Sequence, residues 1–319
     1  VKSDLAKLEA IADLTLEDIL HAVENKDLRE VLGTLPRWEN GEALPPLSQN
    51  WAEQTEALAA FHKRNGYGLF ANYAAFEWRD HALSPISATD PIRLSDLKNY
   101  ELQRSQVVDN TESFVCGLPA NNVLLYGDRG TGKSSTIHAI LNAYKEQGLR
   151  MIEIPKSAVE ELSLIREYLA DSPMKFIIYI DDLSFDSQDN AFTELKAALE
   201  GGLSACQPNT LIYATSNRRH LIKENFSDRE DDVNKNDTRQ EQLSLSDRFG
   251  LTITFINPDK KDYLDIVEKI AADRGLQVDA QRLDAAAEQW AVRRGGRSPR
   301  CARQFIDHVE SALRRGKEW

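Results

Sequence analysis

One stretch, Val123 to Ser135, constrains this chain more than any other. An apolar, β-prone run, Val123-Leu124-Leu125-Tyr126, feeds a glycine-rich turn and then a helix-compatible segment from Ser134 to Lys145. The turn fits G-x-x-x-x-G-K-[ST], the phosphate-binding P-loop. Gly127, Asp128, Arg129, Gly130, Thr131, Gly132, Lys133, Ser134 and Ser135 are therefore the candidate nucleotide-binding residues. Glycines let successive backbone N–H groups converge on a phosphate without Cβ clashes, and the following helix offers its positive N-terminal end. Lys133 is expected to reach the β- and γ-phosphates, and the Ser134 hydroxyl to ligate Mg²⁺. With glycine at about 7% of residues, the pattern arises by chance in roughly one chain in a hundred of this length. A strand before it and a helix after it lower those odds further.

A chain of 319 residues has room for about two domains, each with its own core. No apolar run is long enough to span a membrane. The net charge of −12 argues against a surface that is basic all over, although a local patch is enough for nucleic acid. Cys116, Cys206 and Cys301 are scattered, with no C-x-x-C and no His pairing, so free thiols are expected rather than a disulfide framework or a zinc site. The first residues, Val1-Lys2-Ser3-Asp4-Leu5, lack the basic-then-apolar form of a signal peptide. The missing Met suggests a trimmed or processed chain. A cytoplasmic location is expected.

Apolar residues recur at helical spacing from Leu5 to about Gly33, with Asp13 or Thr15 as cap of a second helix and Gly33 as its stop. Residues 36–48 read as a linker, and a further helix is expected from Asn50 to Arg64. The aromatic run from Tyr67 to Trp78 would suit base stacking, but packing of a small helical domain is the favoured reading. Pro85 to Pro91 reads as a hinge.

Beyond the P-loop, Lys175 to Leu183 is a continuous apolar run ending in Asp181-Asp182. Such a run fits a strand buried on both faces of a parallel sheet, and ligands sit at the C-terminal ends of such strands. About 50 residues after a P-loop, Asp181 is placed to hold Mg²⁺ and Asp182 to orient or deprotonate an attacking water. Another buried strand is expected from Thr210 to Asn217, followed by Arg218-Arg219-His220. Residues 227–242 carry six acids and three Lys/Arg and read as a mobile surface loop. A last strand is expected at Leu251 to Phe255. Three amphipathic helices then run over 261–274, 280–293 and 298–315, and from Arg293 onward eight Lys/Arg stand against three acids.

This ordered set resembles the AAA+ ATPases. More closely, the chain from about Gly66 onward is similar to a bacterial family of predicted ATPases known only as domain of unknown function 815. The motifs that carry the likeness are Asn110-Thr111-Glu112, Tyr126 to Ser135, Asp181 to Phe185, Tyr213 to His220 and Leu245 to Gly250. The resemblance implies an α/β P-loop core with a parallel sheet and helices on both faces, and a small helical lid. With the hinge at Pro85 to Pro91, the chain is read as an α-helical N-terminal domain at 1–90, an AAA+ domain at 91–257 and a helical lid at 258–319. It implies ATP and Mg²⁺ as cofactors, with Ser134 and Asp181 at the metal. It further implies that Asn217 acts as sensor 1, that Arg248 resembles an arginine finger reaching a neighbouring subunit, and that Arg300 resembles sensor 2, with Arg303 as fallback. Lys133, Asp181, Asp182, Asn217, Arg248 and Arg300 form the implied catalytic set. Most AAA+ motors carry Asp-Glu where this chain has Asp181-Asp182, a carboxylate drawn back by one methylene.

Three functions compete. One is a homo-oligomeric ATPase that remodels an as yet unidentified protein partner. The second is a helicase-loader-like ATPase acting on DNA, which the acidic charge disfavours. The third is a slow ATP-gated binding switch. No membrane association is expected.

Overall fold

Seven strands among the described residues form one sheet, in the order β2-β1-β4-β5-β6-β3-β7. They are β1 (Ala75–Arg79), β2 (Ala82–Pro85), β3 (Val123–Gly127), β4 (Leu149–Glu153), β5 (Lys175–Ile180), β6 (Thr210–Ser216) and β7 (Leu251–Phe255). The computed structural model describes residues 1–26, 28, 50–184, 190–200, 208–217 and 248–319. Gly33, Arg218, Arg219 and the charged stretch 227–242 lie outside the described residues.

The chain divides into two compact units, Val1–Tyr67 and Gly68–Trp319. The first contains α1 (Lys2–Ala12), α2 (Leu16–Ala22) and α3 (Thr55–Asn65). Thr15 rather than Asp13 caps α2. Its hydroxyl accepts from the Asp18 N–H at 3.2 Å while the Asp18 carboxylate accepts from the Thr15 N–H at 2.8 Å, satisfying two otherwise orphaned donors. The helix ends at Ala22, well before Gly33, because Val23 takes up extended backbone. The Glu9 carboxylate accepts from the backbone N–H groups of Asn50 and Trp51, at 2.6 and 3.0 Å, joining α1 to the segment before α3.

The second unit is built on the sheet. Every neighbouring pair is parallel except β1 with β2. Successive side chains of a strand point to opposite faces, so an apolar run such as Lys175–Ile180 feeds two cores. Phe176, Ile178 and Ile180 join one core and Ile177 and Tyr179 the other. On the second face pack α5 (Glu101–Val115), through Val107 and Phe114, and α6 (Lys133–Tyr144), through Ile137 and Ile140. On the first pack Phe70 of the short α4 (Leu69–Asn72), Leu162 and Ile165 of α7 (Leu162–Leu169) and Leu195 of α8 (Asn190–Glu200). Each such fully buried side chain contributes about 1.5–3 kcal/mol.

The division after Tyr67 differs from the boundary at 90 read from the sequence. Asp80 (φ 52) and His81 (φ 60) both adopt left-handed backbone and make a two-residue turn between β1 and β2, whose twist suits antiparallel strands. The β1 strand then pairs with β4, so residues 75–85 belong to the sheet and not to a helical domain. The aromatic run does pack a core, with Phe76 and Trp78 buried, but the core is that of the sheet. The Glu161 carboxylate fastens the hairpin, accepting from Trp78 Nε1 at 2.7 Å and contacting His81 Nδ1 at 2.8 Å.

The chain closes with α9 (Lys260–Asp273), α10 (Ala280–Arg293) and α11 (Pro299–Arg314), a helical lid with its own core of Tyr263, Ile266, Leu283, Phe305 and Ile306. The side chains of Asp259, Asp279 and Ser298 each accept from a backbone N–H of the first turn, which fixes where the three helices begin. Elsewhere, Asn110 donates to Asn121 O at 2.9 Å and to the Tyr213 hydroxyl at 3.0 Å, and Thr111 meets the same hydroxyl at 2.8 Å. The Asn110-Thr111 motif thus clamps the chain entering β3 to the neighbouring β6.

Candidate nucleotide-binding site

The turn after β3 is shaped by contacts that only glycine permits. Gly127 has φ 129, and a Cβ there would lie 1.9 Å from the Phe255 carbonyl oxygen. The chain can therefore run tight against β7, and Asp128 N donates to that same oxygen at 2.8 Å. The Asp128 carboxylate accepts from Asn257 N at 2.7 Å and Thr131 Oγ1 donates to Asp128 O at 2.8 Å, closing the loop on itself. Gly132, at φ 98, turns the chain into α6.

Lys133 opens that helix and is buried, with 6% of its surface exposed. Its ammonium donates to Gly127 O at 2.9 Å, to Asp128 O at 2.7 Å and to Asn217 Oδ1 at 3.3 Å. Burial pulls its pKa below the usual lysine value, against the attraction of Asp128, Asp182 and Asp181. Three carbonyl-type oxygens thus hold the charge inside the loop.

The parallel register carries the ends of β5 and β6 to the same place. Ser134 Oγ donates to Asp181 Oδ1 at 2.9 Å, Tyr179 OH to the same oxygen at 2.6 Å and Thr215 Oγ1 at 2.5 Å. Burial pushes the Asp181 carboxyl up, but the hydroxyls of Thr215, Tyr179 and Ser134 outweigh it and hold the group below the usual carboxylate range. Asp182 follows with φ 49, a left-handed conformation uncommon outside glycine. Its N–H donates to Thr215 Oγ1 at 3.0 Å, and its carboxylate accepts from the Asn217 side-chain amide. Thr215, 2% exposed, is therefore the hub between the two aspartates. In the sequence it is one residue of a polar strand end, and nothing in its spacing marks it.

The lid reaches this site through its last helix. Arg300 N donates to Gly130 O at 3.1 Å, and a Cβ on Gly130 would lie 3.1 Å from both Arg300 Cβ and Ser298 Oγ. A cavity of about 500 Å³ results, a size suited to a nucleotide. Lys133, Ser134, Asp181, Asp182, Asn217 and Arg300 all line it, as does Arg303. Arg248 is half-buried and lines neither this cavity nor the one beside it.

The far end of the cavity was not legible in the sequence. It is walled by Leu97, Asn99 and Tyr100 before α5 and by Ile266 and Ile270 of α9. Asn99 (φ 64) and Tyr100 (φ 62) both stand in left-handed backbone, and Tyr100 OH donates to Ile256 O at 2.6 Å. Lys98 pairs with Asp273 at 2.5 Å, which ties this wall to the end of α9. Leu97, Tyr100, Ile266 and Ile270 give this part of the lining an apolar character that suits a flat base. Among the described residues no cluster of three His, Cys, Asp or Glu could hold a metal by itself. The oxygens of Ser134 and Asp181 are hard donors of the kind that suits Mg²⁺ shared with phosphates.

A family model described as a protein of unknown function, DUF815, matches residues 71–313, and the chain belongs to that family. No curated protein matches the sequence. Among solved structures, the Holliday junction branch migration motor RuvB of Thermotoga maritima is similar, at 16% identity over 70% of this chain and 65% of that one, with a TM-score of 0.46. A single-residue variant of the same motor gives 15% identity over 70% and 65%, with a TM-score of 0.49. The chain thus spans about 65% of the length of these relatives. The fold agrees with the architecture expected from the motifs: a parallel sheet with helices on both faces, a P-loop turn after β3, and three closing helices with a core of their own.

Proposed function

We propose that this chain binds and hydrolyses ATP and couples that cycle to its own assembly and to the remodelling of a protein partner. The observation that carries the reading is the convergence of Lys133, Ser134, Asp181, Asp182 and Asn217 on one cavity. Lys133 would exchange its loop carbonyls for β- and γ-phosphate oxygens. Ser134 and Asp181 would hold Mg²⁺, which neutralises charge on the phosphates when bound. Asn217 positions the water and the terminal phosphate. Asp182 accepts a proton from the water as its oxygen bonds to the terminal phosphorus. The bond to the bridging oxygen breaks with its electron pair passing to ADP, and inorganic phosphate leaves. Arg300 answers the nucleotide from the lid. Arg248, outside the cavity of its own chain, serves the cavity of a neighbouring copy, where a guanidinium suits charge developing on phosphate.

A second reading is a slow ATP-gated switch. It is favoured by Asp182 itself, whose short side chain is already engaged by the Asn217 amide. Action on DNA is the weaker alternative in a chain of net charge −12. A cytoplasmic location belongs to the same proposal, which fits the scattered cysteines; no helix among the described residues is long and apolar enough to cross a membrane.

The test is ATP hydrolysis against protein concentration, with and without single-stranded and duplex DNA. Turnover per subunit that rises with concentration supports the assembling ATPase. Tight ATP binding with turnover far below roughly 1 s⁻¹ at every concentration supports the switch. Stimulation by DNA that falls steeply with salt supports the loader.

A further inference from the structure

Beside the nucleotide cavity lies a second, more open one of about 660 Å³, between the outer side of the P-loop and the turn joining α10 to α11. Four arginines line it, Arg129, Arg294, Arg297 and Arg300, against a single carboxylate, Asp128. Of these four, Arg297 is neutralised, since its guanidinium donates to both oxygens of Glu288 at 2.9 and 2.8 Å. Asp128 is committed elsewhere, its carboxylate accepting from Asn257 N. The Arg294 guanidinium lies over the Trp290 ring, 4.9 Å from its centroid, a contact that orients it without removing its charge. Among the described residues neither Arg129 nor Arg300 has a carboxylate partner. Arg129, Arg294 and Arg300 therefore line one space in an acidic protein, and an anion is the ligand that suits such a concentration of positive charge.

Two glycines also line the space. Gly295 (φ 82) and Gly296 (φ 148) form the turn, and a Cβ on either would meet nothing within 4 Å. The positive φ of this helix-ending turn calls for glycine at both positions, and the absence of side chains leaves the main chain open to close approach. The position identifies the anion. Three residues, Arg129, Asn217 and Arg300, line both cavities and so stand at the passage between them. On the function proposed above, Asn217 faces the terminal phosphate, so the second cavity begins where that phosphate ends.

We propose that the arginine-lined cavity is a phosphate subsite, which receives the inorganic phosphate released from ATP before it reaches solvent. The proposal rests on the nucleotide reading of the first cavity. Phosphate presents several oxygens to the planar, many-donor guanidinium groups of Arg129, Arg294 and Arg300, a geometry that a single lysine could not offer.

The experiment titrates inorganic phosphate into the protein saturated with ADP and Mg²⁺, after ADP binding has been measured in the same sample. Phosphate is expected to bind the ADP-loaded protein. Arg294→Gln should weaken phosphate about tenfold more than it weakens ADP, the loss of one charge-assisted contact. Gln304→Glu, an exposed residue of the same cavity, should weaken it at least as much by placing a carboxylate there. ADP binding without phosphate binding, or phosphate binding that neither variant weakens, overturns the subsite alone. Failure of ADP to bind overturns the nucleotide reading and the subsite with it. A single-turnover arm then separates product phosphate from free phosphate. Faster phosphate release in Arg294→Gln than in the parent chain supports the hydrolysis product as the source, and identical release overturns that assignment.

Discussion

Ser134 Oγ and Asp181 Oδ1 stand 2.9 Å apart, joining the first turn of the P-loop helix to the end of the neighbouring strand but one. The two residues are 47 positions apart in sequence, and both strands run parallel with β6 between them. The contact brings two hard oxygen donors together at the C-terminal edge of the sheet, and the proposed function gives them to Mg²⁺. Asp181→Asn should keep the fold but remove the Mg²⁺ dependence of nucleotide affinity, read by titrating ATP with and without Mg²⁺. An unchanged Mg²⁺ effect would move the metal elsewhere.

The same carboxyl gives a prediction about pH. Its folded pKa lies below its unfolded value of about 3.9, so its stabilising contribution is present above that value and is lost as pH falls through the folded one. Magnesium-dependent nucleotide affinity should therefore vary little through this group between about pH 5.5 and 8. A Mg²⁺-dependent loss centred near pH 6 that disappears in Asp181→Asn would show that burial wins over the three hydroxyl donors.

Lys133→Ala should weaken ATP about a hundredfold or more, roughly 3 kcal/mol, in a fluorescent-nucleotide titration. The ammonium is held inside the loop by the Gly127 and Asp128 carbonyls. Unchanged affinity would remove the P-loop assignment.

Thr215→Val is nearly isosteric and tests the hub. It leaves the Asp182 N–H without its acceptor and removes one donor from Asp181. Thermal or urea unfolding should show a loss of about 1–3 kcal/mol, and hydrolysis should fall more than nucleotide affinity. A variant as stable and active as the parent would make the Thr215 contacts incidental.

Arg248→Ala should spare ATP affinity and abolish the rise of turnover with protein concentration. Full turnover in this variant would mean that Arg248 supports the buried Phe249 beside it rather than a neighbour's phosphate.

What the sequence determined by itself was whatever depends on local backbone chemistry. Gly127, Gly130 and Gly132 with Lys133 and Ser134 define a phosphate-binding turn because their spacing acts over a few residues. The apolar runs before Asp181 and Asn217 define buried strands, and helical periodicity places the three lid helices within a residue of their observed ends. The tertiary structure decided what depends on juxtaposition. Residues 75–85 enter the sheet because two left-handed residues, Asp80 and His81, make a hairpin that carries none of the usual glycine signal. Thr215 becomes the link between Asp181 and Asp182 only because β5 and β6 pair in one register, which places Ile180 beside Ala214. Ile266, Ile270 and Tyr100 line one cavity only because α9 comes beside the segment before α5, where Asp273 pairs with Lys98. Spacing along a chain encodes a turn or a helix cap, but a cavity is closed by side chains far apart in sequence, and their meeting follows from packing.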